Sequence, residues 1–191
     1  MAAEEFERVV LVNDDGEQVG TELKSAVHTS DTPLHLAFSC YLVNTEGKIL
    51  VTRRSLAKRT WPGVWTNSFC GHPAPAESTE AAIVRRGQEE LGAMVSNLRP
   101  ALPRFRYRAV DASGVVENEI CPVFVGELTG GLDPAASEVA EWVWVDPLHL
   151  SEAVRLAPFA FSPWMRDQLV EDALTRELTR VTAQTRPEVA S

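Results

Sequence analysis

The sequence has no apolar run approaching the roughly 20 residues that span a bilayer. Its first residues, Met1-Ala2-Ala3-Glu4-Glu5, are acidic where a secretory signal is basic and then apolar. A cytoplasmic protein with no membrane partner is expected. Cysteine is scarce: Cys40, Cys70 and Cys121 are three, widely spaced, with no C-x-x-C pair. That excludes a disulfide framework and a thiolate zinc site, and it fits a reducing compartment. Cys40 and Cys121 lie in apolar, strand-like runs and read as small buried hydrophobes. Cys70 has polar company. Basic residues are also few, 18 against 27 acidic ones, for a net charge of −9. Such a balance lacks the broad basic surface that holds nucleic acid. Even so, Arg53, Arg54, Lys58 and Arg59 gather four of the 18 within seven positions. They read either as a local phosphate grip or as a solvated charged loop.

With 191 residues, 45% of them apolar, the chain suits one well-buried core. A single domain over residues 1–180 is expected, with a polar, disordered tail over 181–191. Residues 8–12 and 18–22, joined through Asn13-Asp14-Asp15-Gly16, predict a first hairpin. Residues 35–44 and 48–53, joined by Thr45-Glu46-Gly47, predict a second. Pro62-Gly63 and Pro73-Ala74-Pro75 mark loops. Ala82, Ile83, Gly87 and Leu91 at helical spacing, with Ser78 as N-cap and Gly92 beyond the end, predict a helix over 78–91. Further strands are expected at 102–110, 115–127 and 141–145, with Pro122 marking an edge or bulge. Helices are expected at 147–153 and 162–179. Strands interrupted by one helix and closed by others give an α/β layered fold with a central mixed sheet flanked by helices.

Thr66-Asn67-Ser68-Phe69-Cys70-Gly71-His72-Pro73 puts a thiol two residues from an imidazole, just ahead of the expected helix. Glu117-Asn118-Glu119 puts two carboxylates on one face of a strand. They repel unless a proton or cation lies between them. His28, His35 and His72 could complete a five-ligand site suited to zinc, manganese or iron, although a single histidine is more often only hydrogen-bonded. His149 stands apart. Gly71-x5-Glu77-x7-Arg85, followed by Glu89-Glu90-Leu91-Gly92, has the spacing of a Nudix box. Its helix would present Glu89 and Glu90 to Mg²⁺ bridging a diphosphate. The residue after Arg85, glutamate in the hydrolases, is Arg86, and the bulky apolar position is Gly87. Losing that carboxylate weakens metal activation of water, while Arg86 can pair with a phosphate oxygen.

Together with His28-x6-His35, Tyr107 and Ser162-Pro163-Trp164-Met165, these motifs make the chain resemble the type I isopentenyl-diphosphate delta-isomerases, a Nudix-fold family. The resemblance runs from the first hairpin to Trp164. It implies a Nudix-like fold and an isomerase that moves a double bond between isopentenyl and dimethylallyl diphosphate through a tertiary carbocation. Cys70 and Glu119 would handle the protons, with Tyr107 hydrogen-bonded near the carboxylate. His28, His35, His72, Glu117 and Glu119 would hold Mn²⁺ or Zn²⁺. Glu90 and Cys70 would hold Mg²⁺ with the diphosphate, whose charge Lys24, Arg54, Lys58 and Arg86 would bind. Trp164 would face the carbocation, leaving Trp61, Trp65, Trp142 and Trp144 to the core or pocket walls. The partner would be this small diphosphate, and the protein a monomer or weak dimer. The other readings are a Nudix hydrolase of a nucleoside diphosphate derivative and a non-catalytic metal- and diphosphate-binding module.

Overall fold

The computed structural model describes residues 7–185. The first hairpin forms as expected, β1 at Arg8–Val12 against β2 at Gln18–Leu23. A single helical turn, α1 at Lys24–Val27, follows. The chain then departs from the expected single strand over 35–44. It forms β3 at His35–Leu36 in one sheet and β4 at Phe38–Val43 in another. The expected strand over 115–127 splits in the same way, into β10 at Val116–Ile120 and β11 at Val123–Thr129. Cys121-Pro122 is the crossing between sheets rather than an edge or bulge, and the Pro122 carbonyl accepts from Ser39 N at 3.1 Å.

The remaining strands are β5 at Ile49–Arg54, β6 at Trp65–Thr66, β7 at Phe69–Gly71, β8 at Met94–Leu102, β9 at Arg106–Val110 and β12 at Val139–Val145. The one central sheet expected from sequence is therefore two. The first runs β2-β1-β3-β10-β9; the second runs β12-β5-β4-β11-β8, with β6 on β5 and β7 on β4. Each is mixed, through the parallel pairs β3–β10 and β4–β11. The expected strand at 102–110 is the end of β8, a turn and β9.

Every residue of β4 is buried, because its two faces serve two cores. Phe38, Cys40 and Leu42 meet Ile83 and Leu91 of the helix α2, Thr79–Leu91. Tyr41 and Val43 meet α3 at Pro147–Leu156, α4 at Pro163–Leu169 and α5 at Asp172–Thr185. Each fully buried aliphatic side chain in these layers contributes about 1.5–3 kcal/mol. Ser78 caps α2 by accepting from Ala81 N at 3.2 Å, and Gly92 ends it at φ 59°. Gly87 replaces a bulky residue because a Cβ there would lie 2.7 Å from Val95 Cγ2 on β8. The expected helix over 162–179 is broken at Val170-Glu171 into α4 and α5. Residues 181–185, expected in the tail, complete α5; residues 186–191 lie outside the described part. No helix among the described residues is long and apolar enough to cross a membrane.

Candidate active site

Where the chain crosses between sheets, side chains from both meet around a cavity of about 290 Å³. Cys70 enters from β7 of the second sheet, while Glu117 and Glu119 enter from β10 of the first. His35 is fully buried on β3, in register with Glu119. His28 follows α1 and His72 follows β7. Glu77 and Arg85, spaced as in the Nudix box, brace the loop that carries His72. Arg85 bonds both Glu77 oxygens at 2.8 Å and donates to the His72 carbonyl at 3.3 Å.

The three imidazole rings have centroids 5.2 to 5.7 Å apart. One ligand atom from each of His28, His35, His72 and Glu119 lies within 4.8 Å of all the others. His28 Nε2, His35 Nε2 and His72 Nδ1 are buried without a hydrogen-bond partner among the described residues. His35 Nδ1 lies 2.9 Å from the Pro33 carbonyl, which fixes the proton there and leaves the Nε2 lone pair free. Burial and the neighbouring His72 and His35 depress His28 to about 3, and burial depresses His72 to about 4 despite Glu119. Burial alone would lower His35 as well, but Glu119 and the Pro33 carbonyl outweigh it and raise its pKa. Glu119 is held well below the usual carboxylate range, burial being overcome by His35 and His72. Orphaned imidazole nitrogens around an ionised carboxylate fit a divalent transition metal.

Glu117 stands outside that group of four. Its carboxylate accepts from Thr60 Oγ1 and from Tyr107 Oη, each at 2.7 Å. Tyr107 was expected beside the proton-handling carboxylate; it faces Glu119 in register but bonds Glu117. Burial and the Glu119 charge raise Glu117. The two carboxylates thus differ in proton affinity, as adjacent acids in one site must.

Cys70 is pushed up to about 12 by burial, against its hydrogen bonds with the Ser39 hydroxyl and the Asn67 Oδ1 acceptor, so it holds its proton at neutral pH. Lys24, Arg54, Lys58 and Arg86 all line the same cavity, and Arg59 and Ser25 join them. Carboxylates already hold three of the expected four. Lys24 meets Glu7 at 2.6 Å, Lys58 meets Glu138, and Arg86 donates to Glu90 Oε1 at 2.6 and 2.9 Å. Arg54 instead donates to the Thr60 carbonyl at 2.9 and 3.2 Å. Of the two expected Mg²⁺ carboxylates, Glu90 lines the cavity, while Glu89 turns outward to Arg85 and Arg86. Arg53 also lies outside, paired with Glu141 at 3.0 Å.

Trp164 is buried in the cavity wall, with Arg54 5.4 Å from its ring centroid and Trp61 edge-on at 5.4 Å. Trp65 and Trp144 pack on the two cores. Trp142, expected in the core or a wall, is instead 45% exposed on β12, an edge strand. His149 is exposed on α3. Sequence reasoning missed Ser25, Thr60 and the buried polar groups behind Cys70; only Arg59 left a signal, as part of the basic cluster.

The NUDIX domain model matches residues 33–168. The chain is 59% identical over 172 residues to the isopentenyl-diphosphate Delta-isomerase of Kocuria rhizophila, covering 90% of this chain and 96% of that protein. It is 53% identical over 174 residues to the protein of the same name from Citrobacter koseri, covering 91% and 96%. Among solved structures, the Deinococcus radiodurans protein DR0079 superposes with a TM-score of 0.62 at 21% identity, covering 91% of this chain and 98% of that one. The MutT protein of Methanosarcina mazei superposes at 0.55 and 20% identity, covering 78% and 95%. At such identities these two likenesses speak for the fold alone. The length and level of the first two matches place the chain in the isopentenyl-diphosphate Delta-isomerase family, on a NUDIX fold.

Proposed function

We infer that this enzyme interconverts isopentenyl and dimethylallyl diphosphate. The observation that carries the mechanism is that Cys70 and Glu119 reach one cavity from different sheets, beside a buried indole and a row of cations. A proton is added to the terminal methylene carbon, giving a tertiary carbocation. A second proton leaves the carbon nearer the diphosphate, and the double bond closes there. One group donates and another accepts, so the reverse reaction exchanges their roles. Cys70 carries one proton and Glu119 the other, with Glu117 and Tyr107 orienting the carboxylate strand.

Trp164 offers its π face to the carbocation, an attraction worth about 2 kcal/mol in a desolvated site. Burial of the indole and of Tyr107 keeps water from quenching the cation. Lys24, Arg54, Lys58 and Arg86 bind the diphosphate charge. The carboxylates now paired with Lys24, Lys58 and Arg86 keep these cations in place until substrate arrives. His28, His35, His72 and Glu119, with Glu117 beside them, would hold Mn²⁺ or Zn²⁺, whose charge fixes Glu119 and tunes its proton affinity. Glu90, with the diphosphate oxygens, would hold Mg²⁺, since the protonated Cys70 thiol does not suit that hard cation and keeps to the proton chemistry. Residues 7–185 form one catalytic domain in this reading, and the protein works in the cytoplasm as a monomer or weak dimer.

Incubation with isopentenyl diphosphate and Mg²⁺ in heavy water, followed by NMR, tests the function. Dimethylallyl diphosphate carrying deuterium is expected. Released phosphate with no allylic product would overturn the reading in favour of a hydrolase.

A further inference from the structure

Ser39 lies directly opposite Cys70 where β4 pairs with β7. Opposite residues of an antiparallel pair share a face, so the serine hydroxyl is the cross-strand neighbour of the thiol. Its Oγ is 3.4 Å from Cys70 Sγ and 3.4 Å from Cys121 Sγ. On its other side Gln168 of α4 donates from Nε2 at 2.8 Å. Gln168 Oε1 in turn accepts from Tyr41 Oη at 2.9 Å. Ser39, Tyr41 and Gln168 are all fully buried, so no solvent competes for these bonds.

The direction of the chain follows from its donors. Tyr41 gives its hydrogen to Gln168, and the Gln168 amide gives one to Ser39. The single Ser39 hydrogen is then left for a sulfur. Of the two sulfurs, Cys70 alone lines the cavity. Asn67 anchors the far side of that sulfur. Its Nδ2 lies between the Cys40 and Phe69 carbonyls at 3.0 and 2.8 Å, two acceptors that fix the amide nitrogen there. Its Oδ1 is thereby turned to Cys70 Sγ at 3.3 Å and to Trp164 Nε1 at 3.0 Å.

A thiol is a weak donor and a weak acceptor, so bonds to it add little stability for the polar atoms they bury. What they define is where the sulfur sits, since only χ1 moves it. We propose that Ser39, oriented by Gln168, is a positioning residue that holds the Cys70 sulfur at the substrate. This rests on the reading of Cys70 as a proton carrier.

The test is Ser39→Ala, with Gln168→Met as a second variant should the first not fold. Steady-state isomerisation, thermal melting and the rate of Cys70 alkylation by iodoacetamide without substrate are measured. A misplaced reacting group costs up to about a hundredfold in rate. We expect kcat to fall about ten- to a hundredfold with KM for isopentenyl diphosphate near wild type, and the alkylation rate to change. Wild-type kcat in a folded variant would overturn the proposal, as would a rise in KM matching the fall in kcat. If the wild-type enzyme itself shows no isomerisation, the isomerase reading fails. An alkylation rate that still differs between wild type and variant then keeps Ser39 as the residue that places the thiol; an unchanged one overturns that too.

Discussion

Glu119 Oε1 lies 3.2 Å from His72 Nε2 and 3.5 Å from His35 Nε2, so one carboxylate oxygen faces two imidazoles that arrive from different sheets. The same side chain thus links the candidate metal group to the proton chemistry. Glu119→Gln keeps the shape and removes the charge and the basicity. Turnover is expected to fall by at least about a hundredfold, the scale of a lost general acid or base. The heavy-water NMR assay measures this, with circular dichroism confirming the fold. Cys70→Ala is expected to behave alike, and retained turnover in either would remove that residue from the mechanism.

Metal content separates the four-residue group from its neighbour. His72→Ala deletes a member of the group and should lower transition-metal stoichiometry by elemental analysis. Glu117→Gln, whose carboxylate is engaged by Thr60 and Tyr107, should lower it less. Equal losses would return Glu117 to the first coordination shell.

The metal-free protein should lose stability as it is acidified. His28 and His72 have folded pKa values of about 3 and 4, below the 6.5 of a solvated imidazole, so the unfolded chain binds more protons between those values. Stability from this source is fully present above pH 6.5 and declines as pH falls toward 4. His35 acts oppositely, since its raised pKa makes its contribution fade as pH rises. Two groups outweigh one, and denaturant midpoints across this range should fall on acidification. His28→Asn with His72→Asn should flatten the slope.

Arg86 and Glu90 form a pair whose side chains are 8% and 9% exposed. Removing one partner from such a pair typically costs about 3–5 kcal/mol, because the other charge stays buried. Arg86→Gln should therefore lower the melting temperature, and Arg86→Leu with Glu90→Leu should recover part of the loss. A surface-like effect for Arg86→Gln would count against this pairing.

Gly71 opens the Nudix-box spacing for a steric reason. A Cβ there would come within 2.9 Å of Phe38 Cζ and 3.1 Å of Arg86 Cγ. Gly71→Ala should destabilise by about 1–3 kcal/mol, the usual cost of overpacking a core. Chemical denaturation would measure it, and an unchanged midpoint would mean that Phe38 yields freely.

Residue types and local spacing alone pointed to α2 with its Ser78 cap and Gly92 end and to the first hairpin, while the roles of Cys70, Glu119 and the three histidines rest on the family resemblance. The helix and the hairpin follow from short-range properties: helical period and turn chemistry. The crossings at Ala37 and at Cys121-Pro122 were not legible, because a strand that changes sheets keeps the same apolar pattern on both sides of the step. Nor was the break between α4 and α5, or the strand character of Thr66 and Cys70, which depends on pairing with β5 and β4. Partner choice was decided only by the tertiary structure: Tyr107 bonds Glu117 rather than Glu119, and Arg86 holds Glu90. Hydrogen bonds and ion pairs form between groups that the fold brings within about 3 Å, and that proximity has no counterpart in sequence distance.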